Sequence, residues 1–352
     1  MTHSFRSTAL TAALAAAAAL SLAACSTSAS ATNASPGASD GTATEASADL
    51  TPVTVVLDWT PNTNHSGLYL ALANGWYEDE GLDVTVIQPG DTSGLQLLAA
   101  GQADFAFSVA EGLLPARAAG ADVISIATVI EHNTSSLLSL TSDGITRPRD
   151  LEGKKYGSYG SDLEEAIISS LVTCDGGDAS LVDHVPLVSD DFRIGLTQDQ
   201  FDIAWVFDAW DTVRLRDIDG MDVSTIAFRD WFDCIPDWYT PLLATTGTQI
   251  ESDPETVQAF VDATARGYAE AMEDPQAAAD ALMAAAPELD EGLVTASAAW
   301  LADKYADSPE AWGVQSEATW DEFSQWLGDG GMVDGDPKVD EAWTNEFLPA
   351  QQ

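Results

Sequence analysis

Val53-Thr54-Val55-Val56-Leu57-Asp58-Trp59-Thr60-Pro61-Asn62-Thr63-Asn64-His65-Ser66-Gly67-Leu68-Tyr69 is the stretch whose reading decides the architecture. A β-branched apolar run gives way at Asp58 to a turn rich in Pro, Asn and Thr, then to a helix-like segment that Gly75 can close. Strand followed by helix is the unit of an α/β fold, and the strand's carboxyl end is where open α/β sheets bind ligands. Asp58, Trp59, Asn62, Asn64 and His65 therefore form a first candidate cluster. A carboxylate beside an indole can hydrogen-bond the edge of an amino-heterocycle while the ring stacks on its face. The same residues allow a local reading, in which Asp58 and Asn62 cap the next helix and Trp59 fills core.

Outward from this stretch, strands are expected at 84–87, 105–108 and 123–128, separated by helices that Gly101 and Gly120 can end. The alternation predicts a largely parallel sheet. Residues 136–140 are apolar again, and 143–152 read as a polar crossing to a second set: strands at 155–159, 203–207 and 223–228, with a helix over 162–172. Gln102-Ala103-Asp104-Phe105-Ala106-Phe107 and Gln200-Phe201-Asp202-Ile203-Ala204-Trp205 echo each other in polar and apolar order, as expected of two lobes on one plan. Beyond Thr245 the chain is helical. Asp253 can cap a helix with Pro254 at its first position, and Val257, Phe260, Val261, Thr264, Tyr268 and Met272 share one face. Trp300, Trp320 and Trp326 read as core aromatics. The expected division is 51–145 plus 245–352 as lobe 1 and 146–244 as lobe 2.

Further candidates follow strand ends. Ser108 and Glu111 stand where a strand becomes a helix, although Glu111 also suits the helix dipole. His132 and Asn133, with Ser135, form another cluster; no metal-ligand spacing surrounds the histidine. From the second set come the turn Gly157-Ser158-Tyr159-Gly160-Ser161, then Trp205, Asp208 and Trp210, then Trp238 and Tyr239. That glycine-bearing turn before a helix could suit an anion, without the full phosphate-loop pattern. Trp205 and Tyr239 are the expected stacking residues. Aromatic walls with a few carboxylates favour a planar neutral or cationic ligand over sulfate or nitrate.

The chain's start has Arg6, an Ala/Leu-rich run from Leu10 to Leu20, and Leu22-Ala23-Ala24-Cys25. This reads as a secretory signal peptide over 1–24 ending in a lipobox, with Cys25 lipidated. Residues 25–50, with no aromatic side chain, read as a flexible linker. One lipid anchor would hold the chain on the membrane's outer face without spanning it. The ~300 residues that remain exceed a single core. Thirteen Lys plus Arg against 57 Asp plus Glu, net −44, argues against nucleic-acid binding and direct attraction to anionic lipid. With Cys25 assigned to lipid, Cys174 and Cys234 are expected to pair outside the cytoplasm.

Asn74-Gly75-Trp76-Tyr77, Gly81-Leu82-Asp83-Val84, Glu131-His132-Asn133-Thr134-Ser135 and Asp237-Trp238-Tyr239-Thr240-Pro241 extend the pattern. From about Val53 to its end, the chain resembles the NMT1-like solute-binding proteins related to thiamin-pyrimidine biosynthesis, especially the bacterial lipoproteins that bind a pyrimidine precursor of thiamin. The resemblance implies a type II periplasmic-binding-protein fold, two lobes joined by a two-crossing hinge. It also implies a monomeric receptor without cofactor, handing a small planar heterocycle to an ABC permease and its ATPase. Riboflavin and sulfonate or nitrate receptors are related alternatives. Eukaryotic relatives are pyrimidine-making enzymes; their Lys and His align with Ser108 and Gly112, and their cysteine cluster with Trp231-Phe232-Asp233-Cys234-Ile235-Pro236. The residues for that chemistry are missing here, and no His-Glu-x-x-His or Cys-x-x-Cys pattern replaces them.

Overall fold

The computed structural model describes residues 50–90, 92–189 and 191–349; the leader, Cys25 and nearly all of the linker lie outside these. Among the described residues, ten strands form two five-stranded sheets. The first takes β1 (Thr51–Val56), β2 (Leu82–Ile87), β3 (Phe105–Ser108), β4 (Ile124–Thr128) and β10 (Leu242–Thr245) in the order β2-β1-β3-β10-β4. The second takes β5 (Ser135–Leu140), β6 (Lys155–Ser158), β7 (Asp183–Pro186), β8 (Ile203–Phe207) and β9 (Val223–Ala227) in the order β7-β6-β8-β5-β9.

The two sheets share a plan. In each, the outer three strands are parallel, and the fourth runs antiparallel to both neighbours. That fourth strand is the first one laid down after the chain crosses over: β5 on entering the second sheet, β10 on returning. The sequence echo falls on β3 and β8, which hold equivalent places. Asp104 Oδ2 accepts from Thr54 N at 2.7 Å, and Asp202 Oδ2 accepts from Lys155 N at 2.7 Å, so each aspartate ties the start of its own strand to the neighbouring parallel strand.

Two expectations need correction. The strand at 135–140, expected with the first lobe, pairs with β8 and β9 of the second sheet, so the chain crosses over between Thr128 and Ser135 rather than at 143–152. Its Ser-Ser-Leu-Leu-Ser run is buried on both faces, and such a central strand carries no alternation to show which sheet it joins. The sheets are also mixed rather than largely parallel, because β5 and β10 insert antiparallel. Edge strand β7 is mostly exposed and gives no apolar signal.

Behind the first sheet, helix Pro254–Glu273 buries Val257, Phe260, Val261, Thr264 and Tyr268, with Met272 partly covered at the margin. It meets helix Ser66–Ala73 closely: a Cβ on Gly267 would stand 2.0 Å from the Gly67 carbonyl oxygen. Only glycine allows that approach, which seats the turn before Ser66. Helix Glu317–Asp329 brings Trp320 against the other core, with Trp326 partly covered there and Trp300 packed at the margin of the first. Cys174, ending helix Asp162–Cys174, is disulfide-bonded to Cys234 in the returning crossing, their Cα atoms 5.7 Å apart. Among the described residues no helix is long and apolar enough to cross a membrane.

Candidate functional site

The carboxyl ends of β1, β3, β6 and β8 open onto one cleft. It comprises two adjoining chambers of about 630 and 520 Å³ that share Trp59, Phe207, Trp210 and Asp211. Trp59, Tyr159 and Phe207 are 46, 58 and 40% exposed, and all three line it. Large aromatics left open to water in a concave site are surfaces for a flat ligand.

β1 ends where Leu57 N bonds the Ile87 carbonyl, and Asp58 and Trp59 then leave the sheet. The turn holds itself. Asn62 Oδ1 accepts from Asn64 N at 2.8 Å, and its Nδ2 donates to the Thr60 carbonyl at 2.9 Å. Asn62 N donates to His65 Nδ1 at 3.2 Å, which leaves the ring proton on Nε2, 2.7 Å from Asp58 Oδ1. His65 is fully buried, its ring edge-on to Phe107 at 4.9 Å. Asp58 is thus fixed from behind through one oxygen, while its carboxylate borders the larger chamber. Lining that chamber are Asp58 and Asp211, without lysine, arginine or histidine. Such a wall suits a neutral or cationic ring carrying N–H donors and repels an anion.

Of the residues expected at the site, Asp58, Trp59, Asn62, Asn64 and Ser108 line the larger chamber and Tyr159 the smaller. Asn62 spends its amide on the turn, as its local reading anticipated. Trp210 lines both, and the others are not lining residues. His65 stands behind Asp58. His132 Nδ1 lies 2.6 Å from Asp237 Oδ2, and that bond raises the histidine's pKa. Asp237 Oδ1 also accepts from Asn133 N, so it ties the two crossings together. Asn133 turns its own Oδ1 to Ser135 N. Asp208 accepts from Ser136 Oγ and Thr212 Oγ1, both at 2.6 Å, and burial raises its pKa. Glu111 has an Oε2 sealed from water and without a hydrogen-bond partner; burial raises its pKa to about 7 and the nearby Asp58 charge adds to this, while hydrogen bonding to its own amide opposes it.

The two expected stacking residues are core. Trp205 precedes Phe207 by two residues on the same face of β8, their rings 6.4 Å apart, so the strand's last aromatic reaches the cleft and Trp205 stays buried. Tyr239 packs 5.6 Å from Trp320 and accepts from Ser316 N at 2.7 Å; Trp238 stacks on Phe323 at 5.3 Å. Thr240 and Pro241, one step on, line the cleft instead.

Sequence reasoning missed Phe207 and Asp211 and left Trp210 unranked. After β8 the chain winds as two π-helical turns, Asp208–Thr212 and Arg214–Ile218. Such i→i+5 winding is rare and concentrates at functional sites. It sets Trp210 beside Leu215 and Arg214 beside Asp219, all on the smaller chamber. The glycine turn before helix Asp162–Cys174 is not an open anion cradle. Glu164, 1% exposed, fills it, accepting from Tyr159 N, Gly160 N, Ser158 Oγ and Tyr156 Oη at 2.7–3.1 Å.

The family model described as NMT1/THI5 like matches residues 62–278, more than half of the chain and most of both sheets. The chain belongs to the NMT1/THI5-like family. The formylaminopyrimidine-binding protein of Halalkalibacterium halodurans is 28% identical to it over 288 residues, 79% of this chain and 85% of that one. The 4-amino-5-hydroxymethyl-2-methylpyrimidine phosphate synthase of Legionella pneumophila is 25% identical over 309 residues, 84 and 92% of the two chains. Among solved structures, the periplasmic aliphatic sulphonate-binding protein SsuA of Escherichia coli superposes with a TM-score of 0.66 at 14% identity, covering 86% of this chain and 94% of that one. That likeness establishes the two-lobe periplasmic-binding fold for this NMT1/THI5-like chain.

Proposed function

We propose that the protein is the extracytoplasmic solute receptor of an ABC importer, capturing an amino-pyrimidine such as a formylaminopyrimidine between its lobes. The observation that carries this reading is the pairing of exposed Trp59 with Asp58, whose carboxylate His65 holds at the cleft wall. The ring stacks on the indole and donates its amino hydrogens to Asp58. Closure about the crossings at 129–134 and 228–241 then removes both from water, which selects by shape and paired hydrogen bonds with no bond broken. The closed form docks on a permease driven by an ATPase. Cys25 carries the lipid that keeps the receptor at the membrane's outer face.

The similarity to a formylaminopyrimidine-binding protein supports this choice. The similarity to a synthase makes pyrimidine-making chemistry the second reading; Ser108 and Gly112, where the eukaryotic enzymes are read to carry Lys and His, weigh against it. A sulfonate ligand is disfavoured by the carboxylates of the larger chamber.

Calorimetric titration of residues 51–352 with the formylated aminomethyl-pyrimidine, thiamin, riboflavin and taurine tests the reading. The expected result is binding of the pyrimidine at micromolar Kd or tighter, weakened in Asp58→Asn. Binding of taurine alone, or of none, overturns it.

A further inference from the structure

We propose that the smaller chamber is a subsite for a neutral, hydroxyl-bearing arm attached to the flat ring, so that the receptor prefers ring-plus-arm ligands over the bare heterocycle. The inference rests on the amino-heterocycle reading of the larger chamber and adds what lies beyond it.

The chamber of about 520 Å³ continues past Trp59 and Phe207 and is far roomier than a single small ring needs. Its walls differ in kind from those of its neighbour. Tyr159 and Phe192 give flat surface, while Arg193 and Arg214 bring guanidinium groups that the larger chamber lacks. Each guanidinium is shadowed by a carboxylate at salt-bridge margin: Arg193 Nη2 is 3.5 Å from Asp191 Oδ2, and Arg214 Nε is 3.9 Å from Asp219 Oδ2. Both arginines remain about half exposed, so their other N–H groups can serve a ligand.

Donors and acceptors alternating around an aromatic-walled space match the hydroxyl group, which donates to a carboxylate and accepts from a guanidinium at once. A phosphate matches poorly. With Asp211 the chamber holds three carboxylates against two guanidiniums. The backbone cradle that would take a phosphate, the turn at Tyr159–Gly160, is already filled by Glu164. The π-helical winding that presents Trp210, Arg214, Leu215 and Asp219 together is the local distortion that builds this wall.

The test holds the ring constant and varies the arm: 4-amino-2-methylpyrimidine, its 5-(2,3-dihydroxypropyl) derivative, and the phosphate monoester of that derivative, titrated into residues 51–352 and into the Arg193→Gln, Arg214→Gln double variant. The expected result is a diol bound at least tenfold tighter than the bare ring, a monoester no tighter than the diol, and a ratio that collapses toward one in the variant. Because the ratio is taken within one preparation, it does not depend on the fraction folded. Equal affinity of ring and diol in the unaltered protein overturns the subsite, as does a ratio the variant leaves intact. A monoester tenfold tighter than the diol would make it an anion site instead. If neither ring nor diol binds, the amino-heterocycle reading itself falls and the subsite with it; a bare ring that binds without gain from its arm removes the subsite alone.

Discussion

His65 Nε2 lies 2.7 Å from Asp58 Oδ1, and the histidine's other nitrogen is held by Asn62 N–H, so one buried ring converts a turn's geometry into the aim of a carboxylate. A hydrogen bond to a charged acceptor is worth about 1.5–3 kcal/mol. Asp58→Asn is therefore expected to weaken amino-pyrimidine binding about 10- to 100-fold. His65→Gln, which leaves the carboxylate but loosens it, should weaken binding by a smaller factor. Calorimetric Kd values check both, and an unchanged Kd in Asp58→Asn would sink the proposed contact.

Glu111 links stability to pH. Its carboxyl is raised from 4.5 to about 7 in the folded protein, chiefly by burial. Between those values the folded chain keeps a proton the unfolded chain has released, so this group's contribution to stability is full below about pH 4.5 and is lost as pH rises toward 7, by about 2–3 kcal/mol. Glu111→Gln should flatten that slope and raise the melting temperature at pH 8 more than at pH 5. Parallel slopes in the two proteins would contradict this account.

Joining Cys174 to Cys234 closes a loop across a sequence separation of 60. Reduction, or replacement of both by serine, should cost about 2–4 kcal/mol. Ligand affinity should change little, since neither cysteine lines the cleft. Thermal unfolding with and without reductant reads the first effect and titration the second.

Gly267 faces the carbonyl of Gly67 with no room for a methyl. Gly267→Ala must push helix Pro254–Glu273 off helix Ser66–Ala73, at an expected cost of about 3 kcal/mol. The second helix follows directly on the Asp58–His65 turn, so affinity should fall along with the melting temperature. A variant as stable as the parent would show that the helices shift without penalty.

Much was legible without the structure because it is local. Asp253 and Pro254 start their helix where caps and proline dictate, and the buried face from Val257 to Tyr268 follows the helical period. The Asp104 and Asp202 echo marked equivalent strands because the same side-chain bond to a neighbouring strand's amide is needed twice. Trp59 was found because it stands in the turn just past a strand's carboxyl end.

Pairing and depth belong to the tertiary structure. Which sheet takes Ser135–Leu140 depends on partners far along the chain, since a strand buried on both faces fits either. Trp205 and Phe207 are the same kind of residue on the same strand face, and only the height of the surrounding core buries one and leaves the other open. Glu164 looks from sequence like any first-turn helix carboxylate, yet the fold buries it inside the glycine turn. The chain alone determined the α/β units and the placing of Asp58 and Trp59 at a strand's carboxyl end. The distances between lobes, which select the residues that meet a ligand, arise from packing that no short segment encodes.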